Sequence, residues 1–305
     1  MTHATPSLAH NNKKRFQFTP GLILMYAFVG IFAALCLYPF LMVISGSFTS
    51  KQEATLYGYS LIPRSLTMAS YNVLFANIRS IINGYKVTVF VTIVGTLLSL
   101  LVNSMMGFVT SRRQLKFRKL LNFYVLFTML FNGGMVSWYI ICGIIGIKNS
   151  IWALIVPMMC GPWYIFLFRN YFFSVPDSLY ESAKIDGAGD IRVFYQIYIR
   201  LATPVIATVG LFTALGYWND WWHGLMLIEN SNLWPLQMLL RTVISNLQFL
   251  QTMESSAQVQ KMMATIPSDS VRMALVIITT GPIMLLYPFV QRYFVKGIMV
   301  GAVKG

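Results

Sequence analysis

Charged residues are scarce in this chain, and acidic ones most of all. Only 10% of its 305 residues are charged and only 9 are Asp or Glu, whereas 56% are hydrophobic. Soluble domains carry about a quarter charged residues, so the composition excludes an ordinary soluble protein and indicates an integral membrane protein. Gly/Ser-rich and Pro-rich linkers are also missing between the apolar segments. The sequence therefore favours one membrane domain.

Several chemical motifs are missing as well. The 3 cysteines, Cys36, Cys142 and Cys160, lie in apolar runs at spacings that match no metal or redox motif, so we interpret them as packing residues. The Gly-x-x-x-x-Gly-Lys-Ser/Thr phosphate loop is not found, and no Ser/His or His/Asp constellation indicates an enzyme. Carboxylates inside apolar segments mark ion-coupled transporters, and Asp220 is the one such residue in this sequence. We expect no metal and no cofactor in this chain.

Long apolar runs take the place of charge. About 20 apolar residues cross a bilayer core as a helix. Six segments qualify, at 21–48, 85–110, 120–141, 151–168, 203–226 and 273–294. The first run is too long for a cleaved signal peptide and should remain as a helix. The sequence predicts an all-α membrane protein with six transmembrane helices in one domain over 21–298, between tails at 1–20 and 299–305.

Basic residues are distributed unevenly among the loops. With the N-terminus inside the cell, 15 of the 23 Lys and Arg residues fall on the cytoplasmic side, where basic residues of membrane proteins are retained. Both termini are therefore predicted to be cytoplasmic. This topology accounts for the net charge of +14 without nucleic-acid binding.

Two predicted outer loops, 49–84 and 227–272, are long enough to contain structure of their own. The second has apolar residues at near-helical spacing, namely Leu236, Leu239, Leu240, Val243 and Leu247. We expect both loops to fold against the membrane domain or a partner; a passive connection is the alternative.

The cytoplasmic segment 171–203 has a different pattern. Ser178 and Glu181 are spaced as a capping box, and Gly187 predicts a helix stop. Asp190 then predicts the cap of a second helix. That helix is predicted to have one apolar face, formed by Ile191, Phe194, Tyr195, Tyr198 and Ile199. The sequence predicts a helix, a tight turn and a helix, which is either an interfacial anchor or a docking element for another protein.

These residues resemble the EAA loop, the coupling loop of permease subunits of binding-protein-dependent ABC importers. The match consists of Glu181-Ser182-Ala183, Asp186-Gly187-Ala188, Phe194 and Ile197, placed before the penultimate span as in that family. The wider likeness is greatest to the carbohydrate group, with its maltose-type permeases and its permeases for complex or polyuronate oligosaccharides. It covers nearly the whole chain and is carried by Pro63, Tyr71-Asn72, 131–134, 218–220, 291–297 and 301–305. Ser182 and Arg200 depart from the Ala and Pro that are usual there, and Pro204 is placed to supply the kink instead.

The resemblance implies a permease subunit that imports oligosaccharides. The cargoes that it allows include acidic oligosaccharides derived from alginate or pectin. It implies a location in a bacterial cytoplasmic membrane, a second homologous permease, two ATP-binding subunits that hold ATP and Mg²⁺, and an extracytoplasmic solute-binding protein. The residues it assigns to ATPase coupling are Glu181, Ser182, Ala183, Asp186, Gly187, Ala188 and Phe194, with Lys304 and Gly305 in the C-terminal tail as a further contact. An ion-coupled secondary sugar transporter is the alternative.

Sugars are bound by aromatic faces and by amide or carboxylate groups. The predicted substrate pathway therefore contains Asn132, Trp218, Asn219 and Asp220, while Trp221 and Trp222 fit an interfacial belt. Asn132 precedes Gly133-Gly134 and is placed to break the third span and expose backbone to a pore. His223 has no metal-spaced partner, which indicates a packing or hydrogen-bonding residue.

Overall fold

The computed structural model describes residues 20–252 and 268–284. Within these ranges the chain is helical apart from turns and one isolated bridge between Thr49 and Leu66. The predicted all-α class is confirmed. The helices are α1 (Pro20–Ser47), α2 (Lys51–Tyr57), α3 (Ala69–Phe75), α4 (Ile78–Ser111), α5 (Arg118–Leu130), α6 (Gly134–Ile144), α7 (Trp152–Met159), α8 (Pro162–Phe173), α9 (Asp177–Ile185), α10 (Asp190–Val193), α11 (Ile199–Leu201), α12 (Thr203–Trp218), α13 (Trp222–Leu227), α14 (Leu236–Thr252) and α15 (268–284), with a π-helical turn at Phe194–Tyr198 and a 3₁₀ turn at Ser231–Leu233.

Two of the described helices, α1 and α4, are long and apolar enough to cross a membrane by themselves. Three bent pairs, α5 with α6, α7 with α8, and α10–α11 with α12, each reach that length if the pair is one span. The first two predicted spans, 21–48 and 85–110, correspond to α1 and α4. The sixth, 273–294, is described only as far as residue 284.

Helix α1 has apolar side chains on all sides and buries only Ser45, Gly46 and Ser47. A helix that is hydrophobic all round is surrounded by an apolar environment. In this chain by itself, α1 therefore presents its surface to lipid or to another subunit.

Helix α4 is the centre of the bundle and packs against α7, α8 and α12. At about 1.5 Å per residue its 34 residues extend for roughly 50 Å. Its buried face contains small and polar residues four positions apart, namely Gly95, Ser99, Asn103, Gly107 and Ser111. Small residues let helix backbones approach closely in a membrane, so this stripe sets how near α8 and α12 can come.

The third predicted span, 120–141, is not one straight helix. Helices α5 and α6 meet at 116° around 131–133. The Asn132 side chain accepts a 2.8 Å hydrogen bond from the Gly134 amide, and Gly134 has a φ of 83°. The predicted break at Asn132 is thus present, and it divides the segment because glycine adopts positive φ at little cost.

The fourth and fifth predicted spans also contain breaks. Helices α7 and α8 are bent by 48° at Cys160 and Gly161, where Pro162 starts α8. The fifth span was predicted to continue to residue 226, but α12 ends at Trp218 and α13 begins at Trp222. The Asp220 carboxylate accepts from the backbone amide of His223 at 3.3 Å. A side chain that bonds the local backbone competes with helix continuation.

Asn103 closes the break between α7 and α8 from the neighbouring helix. Its amide nitrogen donates to the Met159 carbonyl at 3.0 Å, and its amide oxygen accepts from the Gly161 backbone at 2.9 Å. Both backbone groups lie at the interruption and need partners away from water. The completely buried Asn103 therefore stabilises the bend at Gly161-Pro162 from a neighbouring helix.

The described parts of the two predicted outer loops pack against the bundle. The helix predicted around 236–247 is α14, with Leu236 and Leu247 buried. The Leu236 amide donates to the Thr88 hydroxyl of α4 at 2.8 Å. Ser270 at the start of α15 donates to the Thr49 carbonyl at 3.0 Å, which connects the two loop regions at one end of the bundle.

Glu53 organises the first of the two predicted outer loops. Its carboxylate accepts from the Arg64 amide at 2.5 Å and from the amide and hydroxyl of Ser65 at 2.9 and 2.7 Å. The Ser65 hydroxyl, followed by the Arg64 amide, holds the pKa of Glu53 below its usual range. Because the folded pKa is lowered, Glu53 stabilises the loop above the usual glutamate pKa, and this contribution is lost as the pH falls through the lowered value.

We expect acidification to loosen this loop through Glu53. Hydrogen exchange at the Arg64 and Ser65 amides, corrected for the intrinsic pH effect, should show protection that disappears in the acid range. In Glu53→Gln the protection should be weaker at neutral pH and should change little on acidification, because the titrating group is gone. The same pH-dependent loss in Glu53→Gln would contradict this account.

A second prediction concerns the contact between α4 and α8. A Cβ atom added at Gly107 would lie 2.5 Å from Cβ of Phe168 and 3.0 Å from the Arg169 backbone nitrogen. Overpacking of this kind costs about 1–3 kcal/mol, so Gly107→Ala should lower the thermal midpoint of the purified protein. Gly30→Ala in α1 is the matched control, since no atom lies within 4 Å of that position. Equal midpoints for the two variants would contradict the close packing.

Candidate functional site

The segment between α8 and α12 forms the predicted helix, turn and helix. Helix α9 ends at Ile185, and Gly187 follows with a φ of 79°. The Ala188 amide donates to the Ala183 carbonyl at 2.9 Å and the Gly187 amide to the Lys184 carbonyl at 3.0 Å. This pair of bonds is a Schellman motif, in which a left-handed residue ends the helix. The predicted role of Gly187 in the turn is confirmed.

The predicted caps are different from those observed. Helix α9 starts at Asp177 with Pro176 at the N-cap and no side-chain cap bond, so the capping box between Ser178 and Glu181 is not formed. The fixed φ of proline starts the helix before Ser178, which leaves Ser178 and Glu181 inside it and exposed. Asp190 is likewise the first residue of α10 and not its N-cap, which is Gly189.

Asp190 instead connects the two helices. Its Oδ1 accepts from the Tyr180 hydroxyl at 2.7 Å and lies 2.9 Å from Nζ of Lys184. The Tyr180 hydroxyl, followed by Lys184, holds the pKa of Asp190 below its usual value, and the hydrogen bond to Asp190 raises the pKa of Lys184. Burial and the Asp190 bond raise the pKa of the Tyr180 hydroxyl. All three groups keep their usual charge states at neutral pH, so the connection persists there.

Arg112, the residue after α4, contacts both helical parts of this loop. Its Nη1 donates to the Tyr198 hydroxyl at 2.6 Å, and its guanidinium lies 3.4 Å from the centre of the Tyr180 ring. Stacking over an aromatic ring and a charge-assisted hydrogen bond are both favourable for arginine. One side chain thus attaches both helices of the loop to the end of α4. Sequence reasoning missed Arg112, because its partners are 68 and 86 positions away in the chain.

An aromatic cluster forms the base of the loop. Phe194 and Tyr198 are buried with Phe108, Phe168 and Phe172, with ring centres 4.8 Å apart between Phe108 and Tyr198. The predicted apolar face of the second helix is only partly correct, since Ile191 and Tyr195 are exposed while Val193 is buried. The π-helical turn at Phe194–Tyr198 shifts the register, so 3.6-residue spacing selects the wrong neighbours.

The seven predicted coupling residues fall into two groups. Ala183, Ala188 and Phe194 pack toward the aromatic cluster. Glu181, Ser182, Asp186 and Gly187 are exposed at the tip of the loop. Two exposed isoleucines lie at the same tip, Ile185 at 86% and Ile191 at 75% exposure, and the sequence analysis did not select Ile185. Apolar residues within this polar sequence were the signal that could have found it.

The chain bends by 83° between the α10–α11 segment and α12. Arg200 is exposed in α11, and Pro204 lies at the start of α12, so the bend forms without a proline at position 200. The Tyr171 hydroxyl donates to the Leu201 carbonyl at 2.7 Å and connects α8 to this corner. The bend between the loop and α12 is therefore braced by α8.

The predicted pathway residues lie at two places. Asn132 is exposed at the break between α5 and α6. Trp218 is buried, and its indole donates to the Thr279 carbonyl of α15 at 3.2 Å, whereas Asn219 is exposed and accepts from Gln237 at 3.4 Å. Asp220 is buried beside His223, with 2.9 Å between Oδ1 and Nδ1, and the Trp138 ring packs edge-on to His223. His223 is thus the hydrogen-bonding residue that was expected.

No cluster of potential metal ligands occurs within residues 20–252 and 268–284. Lys304 and Gly305, the predicted tail contact, lie outside the described residues.

This geometry defines a polytopic α-helical membrane protein with a braced loop whose tip is exposed at one end. The family model of the binding-protein-dependent transport system inner membrane component matches residues 8–300. The chain belongs to this family, the membrane permeases of bacterial ABC importers, and is thus a permease and not an enzyme. The predicted resemblance and the predicted location in a bacterial cytoplasmic membrane are confirmed. The family decides against the alternative of an ion-coupled secondary transporter.

Individual relatives match over almost their whole length. The chain is 36% identical to the polygalacturonan/rhamnogalacturonan transport system permease protein YtcP of Bacillus subtilis (strain 168), over 93% of this chain and 98% of that protein. It is 38% identical to protein LplC of the same organism, over 97% of this chain and 98% of that protein. It also resembles a chain in the crystal structure of a bacterial ABC transporter involved in the import of the acidic polysaccharide alginate, with a TM-score of 0.78, 26% identity and coverage of 95% of this chain and 100% of that one.

Proposed function

We propose that this chain is the permease subunit of an importer for acidic oligosaccharides, and that segment 171–203 receives motion from an ATPase subunit. The main support for the coupling role is the exposed loop tip. Glu181 and Asp186 are exposed there beside Ile185 and Ile191. Exposed apolar side chains with charged neighbours are suited to insertion into a cleft on another protein.

The connections behind the tip support transmission. The Asp190 bonds join α9 to α10, Arg112 joins both to α4, and Tyr171 braces the corner before α12. A loop held in this way moves as one body, and interfaces of packed helices change by discrete rigid-body shifts. ATP-driven closure of the ATPase subunits would therefore move α4 and α12 together and open the pathway alternately to each side.

The proposed assembly contains a second permease, two ATPase subunits with ATP and Mg²⁺, and an extracytoplasmic binding protein. The loop end of the bundle is then cytoplasmic, as the distribution of Lys and Arg predicts. Helix α1, which buries almost nothing in this chain, has a surface available to the second permease or to lipid.

The names of two similar proteins support an acidic cargo, since one is a polygalacturonan/rhamnogalacturonan permease and the other belongs to an alginate importer. Within this chain, the exposed amides of Asn132 and Asn219 are the proposed sugar contacts. Trp218 supports that region from inside through its bond to α15, and Asp220 holds His223.

Two measurements test this function. Affinity purification of the tagged chain from its native membrane should bring down an ATPase and a second permease. Proteoliposomes of that assembly, with the binding protein and ATP, should take up oligogalacturonides faster than neutral oligosaccharides of equal length. Purification without an ATPase would refute the importer assignment, and equal uptake of neutral and acidic sugars would refute the cargo.

A further inference from the structure

A cluster of arginines surrounds Phe173 at the coupling end of the bundle. The guanidinium groups of Arg113 and Arg118 lie 4.7 and 5.3 Å from the centre of its ring. Arg169 is one turn earlier on the same helix, and its charge interacts with that of Arg118. The guanidinium groups of Arg113 and Arg118 therefore meet at Phe173, and that of Arg169 is close by, 5.9 Å from the centre of the Phe166 ring.

The positive charge of this cluster is poorly balanced. Asp177 is the carboxylate paired with it, at 3.7 Å from Arg113, and both side chains are more than half exposed, at 51% and 62%. Arg118 donates to the Thr110 carbonyl at 3.3 Å, and Arg169 donates from Nη1 to Asn170 at 3.4 Å. Nε of Arg169 is buried without a hydrogen-bond partner. The guanidinium groups of Arg118 and Arg169 therefore have N–H donors left to bind an anion.

The neighbouring Arg112 shows what a satisfied arginine looks like here. It donates to Tyr198 and stacks on Tyr180. Arg118 and Arg169 have looser contacts: their guanidinium groups lie 5.3 Å from the Phe173 ring centre and 5.9 Å from that of Phe166, and their hydrogen bonds are 3.3 and 3.4 Å long. Guanidinium groups bind phosphate oxygens in a forked geometry and are less strongly hydrated than ammonium groups, so the remaining donors favour a phosphate ligand.

An exposed apolar stripe runs along α5 on the face opposite Arg118 and the buried Val125. Its members Leu120, Phe123, Phe127 and Phe131 are all exposed, and the rings of Phe127 and Phe131 stack at 4.6 Å. An exposed apolar helix face in a membrane lies against acyl chains, so Arg118, at the first residue of α5, lies at the level of the headgroups. A phospholipid beside α5 therefore has its phosphate at the level of the arginines and its chains in the bilayer core.

We propose that Arg113, Arg118 and Arg169 bind the phosphate of an anionic phospholipid of the cytoplasmic leaflet. The inference rests on the proposed cytoplasmic orientation of the loop end. Basic pockets between transmembrane helices on that side bind anionic headgroups. The site adjoins α9 through the Arg113–Asp177 pair, so a bound lipid contacts the base of the coupling loop.

Native mass spectrometry of the complete purified assembly, titrated with phosphatidylglycerol or phosphatidylcholine, tests this site. Arg118→Gln with Arg169→Gln should weaken phosphatidylglycerol binding by about ten- to thirty-fold and leave phosphatidylcholine unchanged. Lys116→Gln with Lys119→Gln removes the same charge close by without touching Phe173 and should have little effect. Arg118→Lys with Arg169→Lys should restore part of the binding and shows that the fold is intact.

Several outcomes would overturn the proposal. Unchanged phosphatidylglycerol binding in the Gln variant excludes the site, and equal loss in the lysine control reduces it to general surface charge. Displacement of the lipid by millimolar inorganic phosphate would show a free-anion site. Loss of the ATPase from the Gln variant with normal lipid binding would show a protein interface. If no ATPase co-purifies with the permease, the importer assignment is refuted. If that preparation still binds phosphatidylglycerol selectively, the lipid site is nevertheless supported.

Discussion

Gly187→Val should nearly abolish transport while the permease remains folded and inserted. Gly187 has a φ of 79°, where a β-branched residue is strongly disfavoured. An L-residue pays about 1–2 kcal/mol in this region, which lowers the population of the native turn by roughly five- to thirty-fold, and valine exceeds that cost. We expect ATP-dependent uptake into proteoliposomes to fall by at least that factor.

The chain offers matched controls for this substitution. Gly189 is two positions later with a φ of −70°, and no atom lies within 4 Å of a Cβ atom at either glycine. Gly189→Val should therefore transport normally, and Gly187→Asn should recover much activity because asparagine tolerates the left-handed region. Similar uptake by the two valine variants would show that the turn conformation is not what transport requires.

Arg112→Gln should separate ATP hydrolysis from transport. The substitution removes the stack on Tyr180 and the charged hydrogen bond to Tyr198. A partly desolvated cation–π contact and a charged hydrogen bond together are worth about 2 kcal/mol or more. The loop would still bind the ATPase through its tip, but its displacement would no longer reach α4. We expect hydrolysis to continue while uptake per ATP falls about tenfold.

Variants at Tyr180 identify which contact matters. Tyr180→Leu removes the ring beneath Arg112 and should resemble Arg112→Gln. Tyr180→Phe keeps the ring and loses only the bond to Asp190, so its uptake per ATP should be closer to that of the unmodified protein. Lys119→Gln controls for lost positive charge at the same end. If Arg112→Gln keeps its uptake per ATP, the connection between the loop and α4 has no part in coupling.

The long apolar segments could be predicted because a membrane-spanning helix is recognised from the composition and length of its own segment. The spans at 21–48 and 85–110 correspond to α1 and α4. The break before α6 was predicted from the turn-forming residues Asn132-Gly133-Gly134. The break between α7 and α8 was not predicted, although Gly161-Pro162 was a local signal for it; the hydrogen bonds that close it come from Asn103 on another helix. The four-residue spacing of Gly95, Ser99, Asn103 and Gly107 was available in the sequence as a sign of close packing.

The coupling segment shows the same division at the scale of single residues. Gly187 could be located because a left-handed turn depends mainly on its own residue. The caps at Ser178 and Asp190 were wrong, because Pro176 starts α9 earlier and Tyr180 and Lys184 engage the Asp190 carboxylate. The apolar face of the second helix was displaced because a π-helical turn changes the spacing.

By itself, the sequence determined the all-α class, the membrane location, the family resemblance and the position of the turn. Composition, length of apolar runs and local backbone preference are sufficient for the class, the location and the turn, whereas the resemblance is carried by the motif residues around Glu181 and Asp186. Tertiary structure decided the arrangement around Arg112, the closure of the α7–α8 break by Asn103, and the arginine cluster at Phe173. Each depends on residues distant in the chain whose separation is fixed only when α4, α5, α8 and the loop pack together.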